Sequence, residues 1–578
     1  MTDDLSPAST KHDTLFWTLL VIAVVIGIQH AVSLWYVNDD CYVSFRYAKN
    51  LVRGMGLVYN AGERVEGYTN FLWTAIVAFG LKFGLDPVSF STTLGIGFYA
   101  ATLVLYGFLS RRFRQVENAV WLIPITSIAL SLHHDFNAHA TSGMETSMFS
   151  FLVSAGYAAL LLGKSWKPLA GAGLLLVLAM MTRPDGIIFL VAAVLYIGLL
   201  RSKPVRTSAV FLLPSLLVFL PYWMIRYAYY GFFFPNTFYA KSVDLSYYSQ
   251  GLRYAALYFK TYYVFVLLPI LWVAFLWFRK SSLRSIRILL SRIRTAREHC
   301  SVIHPIALYF FAVILYTLFT IRIGGDFMFA RFFIAVTPMM YFSIELLLNA
   351  LTRRSVTMIC YGIVILATLF RFNQYGSELT LGYVTDESRY FTREGLQQAE
   401  TNGTMLRTYF NGLPVRIAFW ASLLKLVYYM DPPYALESSG GLTDTVVAHE
   451  AITERGQPGH EKVPTTDYLI SRRVNFYFGP LNPIPPGGEV LNAIMFNHIL
   501  ARIIVYNDTI MSAFSRYPEI RFIRMPDYLD AYIAGIDTIP GARLAHDYGF
   551  FKSYYFDENR TPRDSLRESV ILAHLRKE

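Results

Sequence analysis

Two adjacent carboxylates, Asp39 and Asp40, follow an apolar run at residues 15–36 and open a long polar loop. Acids at the edge of a membrane-length apolar run are costly to hold there and mark sites of function. An aspartate, with a reference pKa of about 3.9, is ionised near neutrality and accepts a proton, as a general base must. An acid also caps a helix, whose first N–H groups lack partners, and a helix is expected from Cys41. Two adjacent aspartates leave one residue for each role. Later polar stretches carry further reactive side chains: HHDFNAHATSGMET at 133–146, TRPDG at 182–186, YGFFFPNTFYAK at 230–241 and RIGGDF at 322–327. Glu145 is either a second site acid or a first-turn acid of the helix it precedes. Arg183, with Pro184 and Asp185, either binds phosphate or forms a plain helix junction. Asp326, after two glycines, is open in the same way. His133, His134 and His139 read as interfacial histidines or as a metal site; their loop spacing assigns none as a metal ligand, and a divalent metal stays open as a cofactor.

The elements that must position these residues are apolar helices. The 578 residues are 54% hydrophobic, with a mean hydropathy of +0.38, which fits a polytopic membrane protein. The net charge of +11 falls in short clusters between apolar runs, so it marks loops and not a nucleic-acid surface. A span needs about 20 apolar residues. Candidates lie at 14–36, 90–110, 117–133, 145–163, 167–182, 186–200, 207–229, 255–278, 302–321, 328–350 and 355–370. The apolar segment at 70–84 reads as an interfacial helix, because the basic clusters at 111–114, 164–167, 201–206, 279–297 and 353–354 then all face inward. About eleven spans follow, with the N-terminus inside and the C-terminus outside. The unusual polar stretches share the outer face. The run FFF at 232–234, with Tyr230 and Tyr239, reads as interfacial aromatic belt. Cys41, Cys300 and Cys360 fall on different sides or depths, so no structural disulfide is expected. The first apolar run lacks a cleavage pattern and reads as a retained helix; the polar N-terminal dozen reads as disordered.

Past about residue 371 the long apolar runs stop. Two domains are expected: a transmembrane domain at 1–370 with the reactive first outer loop at 37–89, and a soluble extracytoplasmic α/β or α+β domain at 371–578. Residues 416–420 and 474–478 read as strands, and 386–397 and 565–577 as helices.

An acidic pair opening a large outer loop between two apolar helices, with an interfacial helix inside it, resembles the GT-C superfamily of integral-membrane glycosyltransferases. The string Asp39, Asp40, Arg46, Asn50, Leu51, Gly54, Gly56, Val58, Asn60 and GERVE at 62–66 is more specific. It resembles the first loop of the actinobacterial terminal β-(1→2)-arabinofuranosyltransferase family. The loops at 142–146 and 183–186, and GLTD at 441–444 and GQPGHEK at 456–462, resemble segments of related sequences too. After Glu66 the run GYTNFLW at 67–73 departs from that family. The resemblance implies transfer of a sugar, arabinofuranose in that family, from a polyprenyl-phosphate carrier to a cell-envelope glycan outside the membrane. A polyprenyl-linked hexose such as mannose is the alternative donor. The resemblance implies the base role for Asp39 or Asp40, with Asp40 preferred and its neighbour a cap or acceptor ligand. Glu145 is then the second catalytic acid. Arg183, Lys241, Arg322 and Arg331 are cations for the donor phosphate, and His134, Asn236, Asp326 and Glu66 serve acceptor or sugar. Trp420 and Tyr428 either meet the acceptor or pack a core. The implied partners are the lipid-linked donor, a glycan acceptor and the bilayer of the plasma (inner) membrane. A transporter would instead place polar residues at the midplane with inverted repeats, and no repeat is seen.

Overall fold

Each apolar segment read from the sequence carries helix in the computed structural model, which describes residues 7–113, 123–280, 302–452, 454–480 and 488–577. Residues 1–6, 114, 117–122 and 281–297 of the expected tail, basic clusters and third span lie outside the described residues, as does Cys300. Among the described residues four helices are long and apolar enough to cross a membrane: Asp13–Ser33, Pro87–Phe113, Pro204–Tyr230 and Ile303–Ile323. Shorter apolar helices pack among them, including Thr146–Leu162, Trp166–Thr182 and Gly186–Leu200. Phe71–Lys82, at 12 residues, is too short to span and has the length of a helix lying at an interface.

Several of the expected spans depart from a single straight helix among the described residues, for local reasons. The segment expected to cross at 255–278 is a pair, Tyr248–Thr261 and Tyr263–Trp277, bent by 103°. At the bend Tyr262 leaves helical geometry while its ring stacks on His133 at 3.9 Å and its hydroxyl donates to Asp135. The segment at 328–350 starts as one turn, Arg331–Ile334, and resumes at Thr337–Leu351, with Pro338 in the first turn. The segment at 117–133 keeps Ile125–Leu132, 8 residues. Pro204–Tyr230 is continuous but holds a π-turn at Ser215–Phe219 behind Pro214, whose missing N–H breaks the ladder.

Chain direction brings the polar loops to one end. Asp13 pairs with Arg111 at 3.0 Å, so the first helix runs antiparallel to Pro87–Phe113. At the opposite end the Asn38 N–H donates to the Ser142 carbonyl at 2.9 Å and Asn70 donates to Glu145 at 2.8 Å. The Asn236 N–H reaches the Glu66 carbonyl there at 3.1 Å. Cys41 and Cys360 are free thiols.

Past residue 371 the chain forms a two-stranded ribbon, β1 (Thr380–Leu381) and β2 (Val384–Thr385), and a six-stranded mixed sheet. Its strands are β3 (Arg416–Phe419), β4 (Tyr434–Glu437), β5 (Phe476–Phe478), β6 (Ala493–Phe496), β7 (Ile499–Ile503) and β8 (Ile520–Phe522), in the order β4-β3-β5-β7-β6-β8. β3 runs parallel to β4 and β5, and the β7-β6-β8 side is antiparallel. Phe410, from the Arg393–Phe410 helix, stacks on Phe476 and packs with Phe496 and Phe514 to make the core on one face. The segment read as one helix at 386–397 is broken: Glu387–Tyr390 ends at Phe391, and Thr392 caps a new helix by accepting from the Gly395 N–H. Pro562–Leu575 begins with a Thr561–Asp564 capping box.

Backbone and ionic bonds join this region to the polar end of the helices. Thr385 exchanges backbone hydrogen bonds with Phe327 and Phe329. Arg371 bridges Asp135, at 3.1 Å, and Asp386, at 2.8 Å.

Candidate active site

Neither aspartate makes the expected capping bond to the helix that starts at Cys41, and the two differ in what they hold. Asp39 is 4% exposed. Its carboxylate accepts the backbone N–H groups of Leu424, at 3.1 Å, and Lys425, at 2.9 Å, the first residues of Leu424–Met430. It caps a helix from the far region of the chain, where the N-terminal dipole favours negative charge. Burial is the larger effect and pushes its carboxyl up to about 7, against Lys425 and the two N–H donors. Asp40 occupies the N-cap position of Cys41–Val52 but makes no capping bond. Its carboxylate accepts no hydrogen bond from the described residues and lies 4.0 Å from the Arg331 guanidinium. Both aspartates line an open cleft with Asn38, Met328, Glu387, Trp420 and His460.

Arg331 is the hub of the wall behind Asp40. It contacts Asp326 at 3.3 Å and Glu145 at 3.4 Å. Burial alone would raise Asp326, but Arg331, with Lys241 and Arg183, holds it below the usual carboxylate range. Glu145 is 2% exposed, accepts from Asn70 and lies 3.7 Å from Arg183. Arg183 itself forms a bidentate pair with Asp185, 3.0 Å for each bond, and Asp185 also accepts from Tyr316. Lys241 differs from both arginines. Its ammonium has no hydrogen bond or ion pair among the described residues; it stands 6.0 Å from the Phe327 ring, and its stem lies 3.5 Å from where a Cβ at Gly459 would stand. Asp40, Glu145, Arg183, Asp326, Arg331 and Lys241 are thus brought together from five sequence-distant loops.

Four nominated residues sit elsewhere. His134 faces Asp135, at 3.6 Å, and the His30 ring, and does not line the cleft. Asn236 is a structural pin: its amide donates to the Gly441 and Leu442 carbonyls at 2.9 and 3.0 Å. Glu66 forms a buried pair with Arg226 at 2.6 Å, and burial outweighs that partner to push its carboxyl up to about 7. Arg322 is exposed and outside the cleft lining. The histidines do not converge either. His133 stacks on Tyr262, and His139 bonds Tyr36 and the Phe329 carbonyl. Among the described residues no group of three or more His, Cys, Asp or Glu is arranged to hold a metal ion.

Sequence reasoning missed Asn38 and Glu387. The Asn38 amide donates to Glu387 at 2.7 Å, and its carbonyl oxygen accepts the Asp40 N–H at 2.8 Å. No local pattern flags Glu387, whose partner is 349 residues away. Trp420 does line the cleft, whereas Tyr428 packs on Tyr42 and Phe45. A Cβ at Gly479, whose φ is +127°, would lie 2.7 Å from the Trp420 Cβ, so the glycine lets the indole take its place.

No protein-family model matches the chain. Among solved structures, an apo Archaeoglobus fulgidus oligosaccharyltransferase is 11% identical with a TM-score of 0.43, over 75% of this chain and 65% of that one. AglB from the same organism, in complex with an inhibitory peptide and a dolichol-phosphate, gives 11% and 0.42, over 72% and 64%. The chain is 26% identical over 358 residues to the terminal β-(1→2)-arabinofuranosyltransferase of Corynebacterium glutamicum, covering 56% of this chain and 50% of that protein. It is 27% identical over 362 residues to the protein of the same name from Mycobacterium tuberculosis, covering 56% and 54%. The chain spans about half the length of the curated relatives it matches, and both carry the name of the family that its first polar loop resembles.

Proposed function

We propose that the chain is a multi-pass membrane glycosyltransferase that moves a sugar from a polyprenyl-phosphate carrier to a glycan hydroxyl. The transfer takes place on the outer side of the plasma membrane, where the C-terminal region also lies. The observation that carries this reading is the free Asp40 carboxylate, with no hydrogen bond among the described residues, in an open cleft and 4.0 Å from the Arg331 guanidinium. Sugar transfer from a phosphate passes through an oxocarbenium-like state, for which carboxylates and phosphate-binding cations are the needed groups. Asp40 takes the proton of the acceptor hydroxyl as its oxygen bonds to the anomeric carbon. The bond from that carbon to the phosphate oxygen breaks, and polyprenyl phosphate leaves with the electron pair. Lys241, with no ion pair among the described residues, is the cation best placed to meet the phosphate, because Arg183 and Arg331 are already engaged by acids. Asp39 ties the cleft wall to the C-terminal region and so keeps Asp40 in position.

Arabinofuranose is the donor sugar indicated by the names of the curated relatives. The test incubates the purified full chain with polyprenyl phosphates bearing labelled arabinofuranose, mannose or other sugars and follows consumption of each. Consumption of the arabinofuranosyl donor supports the whole reading, consumption of a hexosyl donor corrects the sugar, and consumption of none removes the activity.

A further inference from the structure

The mechanism above leaves one cleft carboxyl unused. Glu387 comes from the short helix Glu387–Tyr390 and is 7% exposed. One of its oxygens accepts from Asn38 at 2.7 Å. The other has no partner among the described residues, yet is not among their sealed, unpartnered polar atoms, and the residue lines the cleft. No cation of the described residues lies within ion-pair distance of it. Asn38 fixes it relative to Asp40, since the same side chain holds the Asp40 N–H. Trp420 and Tyr390 offer aromatic faces on the same wall, the surfaces on which a sugar ring stacks.

We propose that Glu387 binds the saccharide acceptor: its free carboxyl oxygen hydrogen-bonds one acceptor hydroxyl and so sets a neighbouring hydroxyl against Asp40. This rests on the glycosyl-transfer reading. The surroundings suit a neutral acid there. Burial first, then the charges of Asp40, Asp39 and Asp326, push the carboxyl well above the ordinary carboxylate range, against the pull of Lys425. The other titratable side chains on the cleft wall are His460 and Tyr390. A protonated carboxyl both donates to and accepts from a sugar hydroxyl, and it avoids placing a third negative charge beside the base.

The experiment measures donor consumption by wild type, Glu387→Ala and Glu387→Gln with a panel of methyl arabinofuranosides, methyl mannopyranosides and their mono-deoxy analogues as acceptors. Glu387→Ala should raise the acceptor KM about tenfold, the size of one net hydrogen bond. The donor KM and the slow acceptor-free hydrolysis of the donor should stay at wild-type values. Glu387→Gln, which keeps a donor and an acceptor, should restore most of the acceptor KM. One deoxy analogue should lose as much with wild type as the alanine substitution costs, and lose nothing further with Glu387→Ala. An unchanged acceptor KM in Glu387→Ala, or a parallel rise in both KM values, overturns the assignment while leaving glycosyl transfer intact. If Glu387→Ala does not fold, the Glu387→Gln variant and the deoxy series on wild type decide the matter: a deoxy loss of the same size in both proteins supports the assignment, and no deoxy loss at any position overturns it. If no sugar donor is consumed by wild type, the underlying reading falls instead.

Discussion

Adjacent aspartates with opposite duties should respond oppositely to removal. Asp40→Asn deletes a carboxylate that accepts no hydrogen bond among the described residues and lies 4.0 Å from one guanidinium. At that distance and an effective dielectric near 20, the bare Coulomb energy is about 4 kcal/mol, and in water about 1 kcal/mol. Arg331 keeps Asp326 and Glu145 at 3.3 and 3.4 Å after the change, and the Asp40 side chain is 24% exposed. The net stability lost should therefore stay below about 1 kcal/mol, in the range of partly solvated pairs. A general base contributes about 10²–10⁴ in rate, or roughly 3–5 kcal/mol of transition-state stabilisation. Asp39→Ala reverses the profile, because it strips the acceptors from two buried N–H groups that open a helix. Leaving such donors unmet costs about 1–3 kcal/mol. The assay pairs melting temperature in detergent with the turnover of the labelled polyprenyl donor. The expected result is a folded, near-native Asp40→Asn protein with turnover down at least a hundredfold, and an Asp39→Ala protein that melts several degrees lower while its remaining folded fraction still transfers. Turnover in Asp40→Asn within tenfold of wild type would refute the base assignment, and an unshifted melting temperature in Asp39→Ala would refute the tie.

Arg331→Ala should cost about 3–5 kcal/mol, because it leaves Asp326 and Glu145 buried without their shared cation; thermal melting checks this. Lys241→Ala removes the same charge from a residue with no ion pair among the described residues, so it should leave melting nearly unchanged and raise the donor KM about tenfold or more. The Glu66 carboxyl, raised to about 7 from an ordinary 4.5, holds its proton more tightly folded than unfolded. Its contribution to stability is therefore full below about pH 4.5 and is lost as pH rises towards 7, with a slope of at most about 1.4 kcal/mol per pH unit. Glu66→Gln should flatten that part of the melting-temperature curve, and an unchanged curve counts against it.

Much of the helical region is legible because a membrane demands it: long apolar runs must close their own backbone bonds, and the polar residues between them must go to its edges. What hydropathy cannot show is where an apolar run folds back on itself. The bend at Tyr262 has neither proline nor glycine and arises from the bond of its hydroxyl to Asp135 and its stacking on His133, neither of which is local. The acidic pair is conspicuous in the sequence, but its division of labour is not. The helix that claims Asp39 begins 385 residues later, at Leu424. Glu387 is invisible for the same reason. Asn236 and Glu66 look reactive and turn out to be fasteners, because a membrane-edge loop needs buried polar ties as much as it needs a site.

That distinction orders this end of the protein. A buried polar group is stabilising when its partners are met and costly when they are not. Asp39, Asp185 and Glu66 have all found donors within the protein, and their geometry is thereby fixed. Asp40, Lys241 and one oxygen of Glu387 have not, among the described residues. The unmet groups are a carboxylate, an ammonium and a carboxyl oxygen, proposed as base, phosphate-binding cation and hydroxyl-binding acid. Those are the groups that a proton, a phosphate and an acceptor sugar would complete, which is why the reaction is assigned by what this end of the protein leaves unpaired.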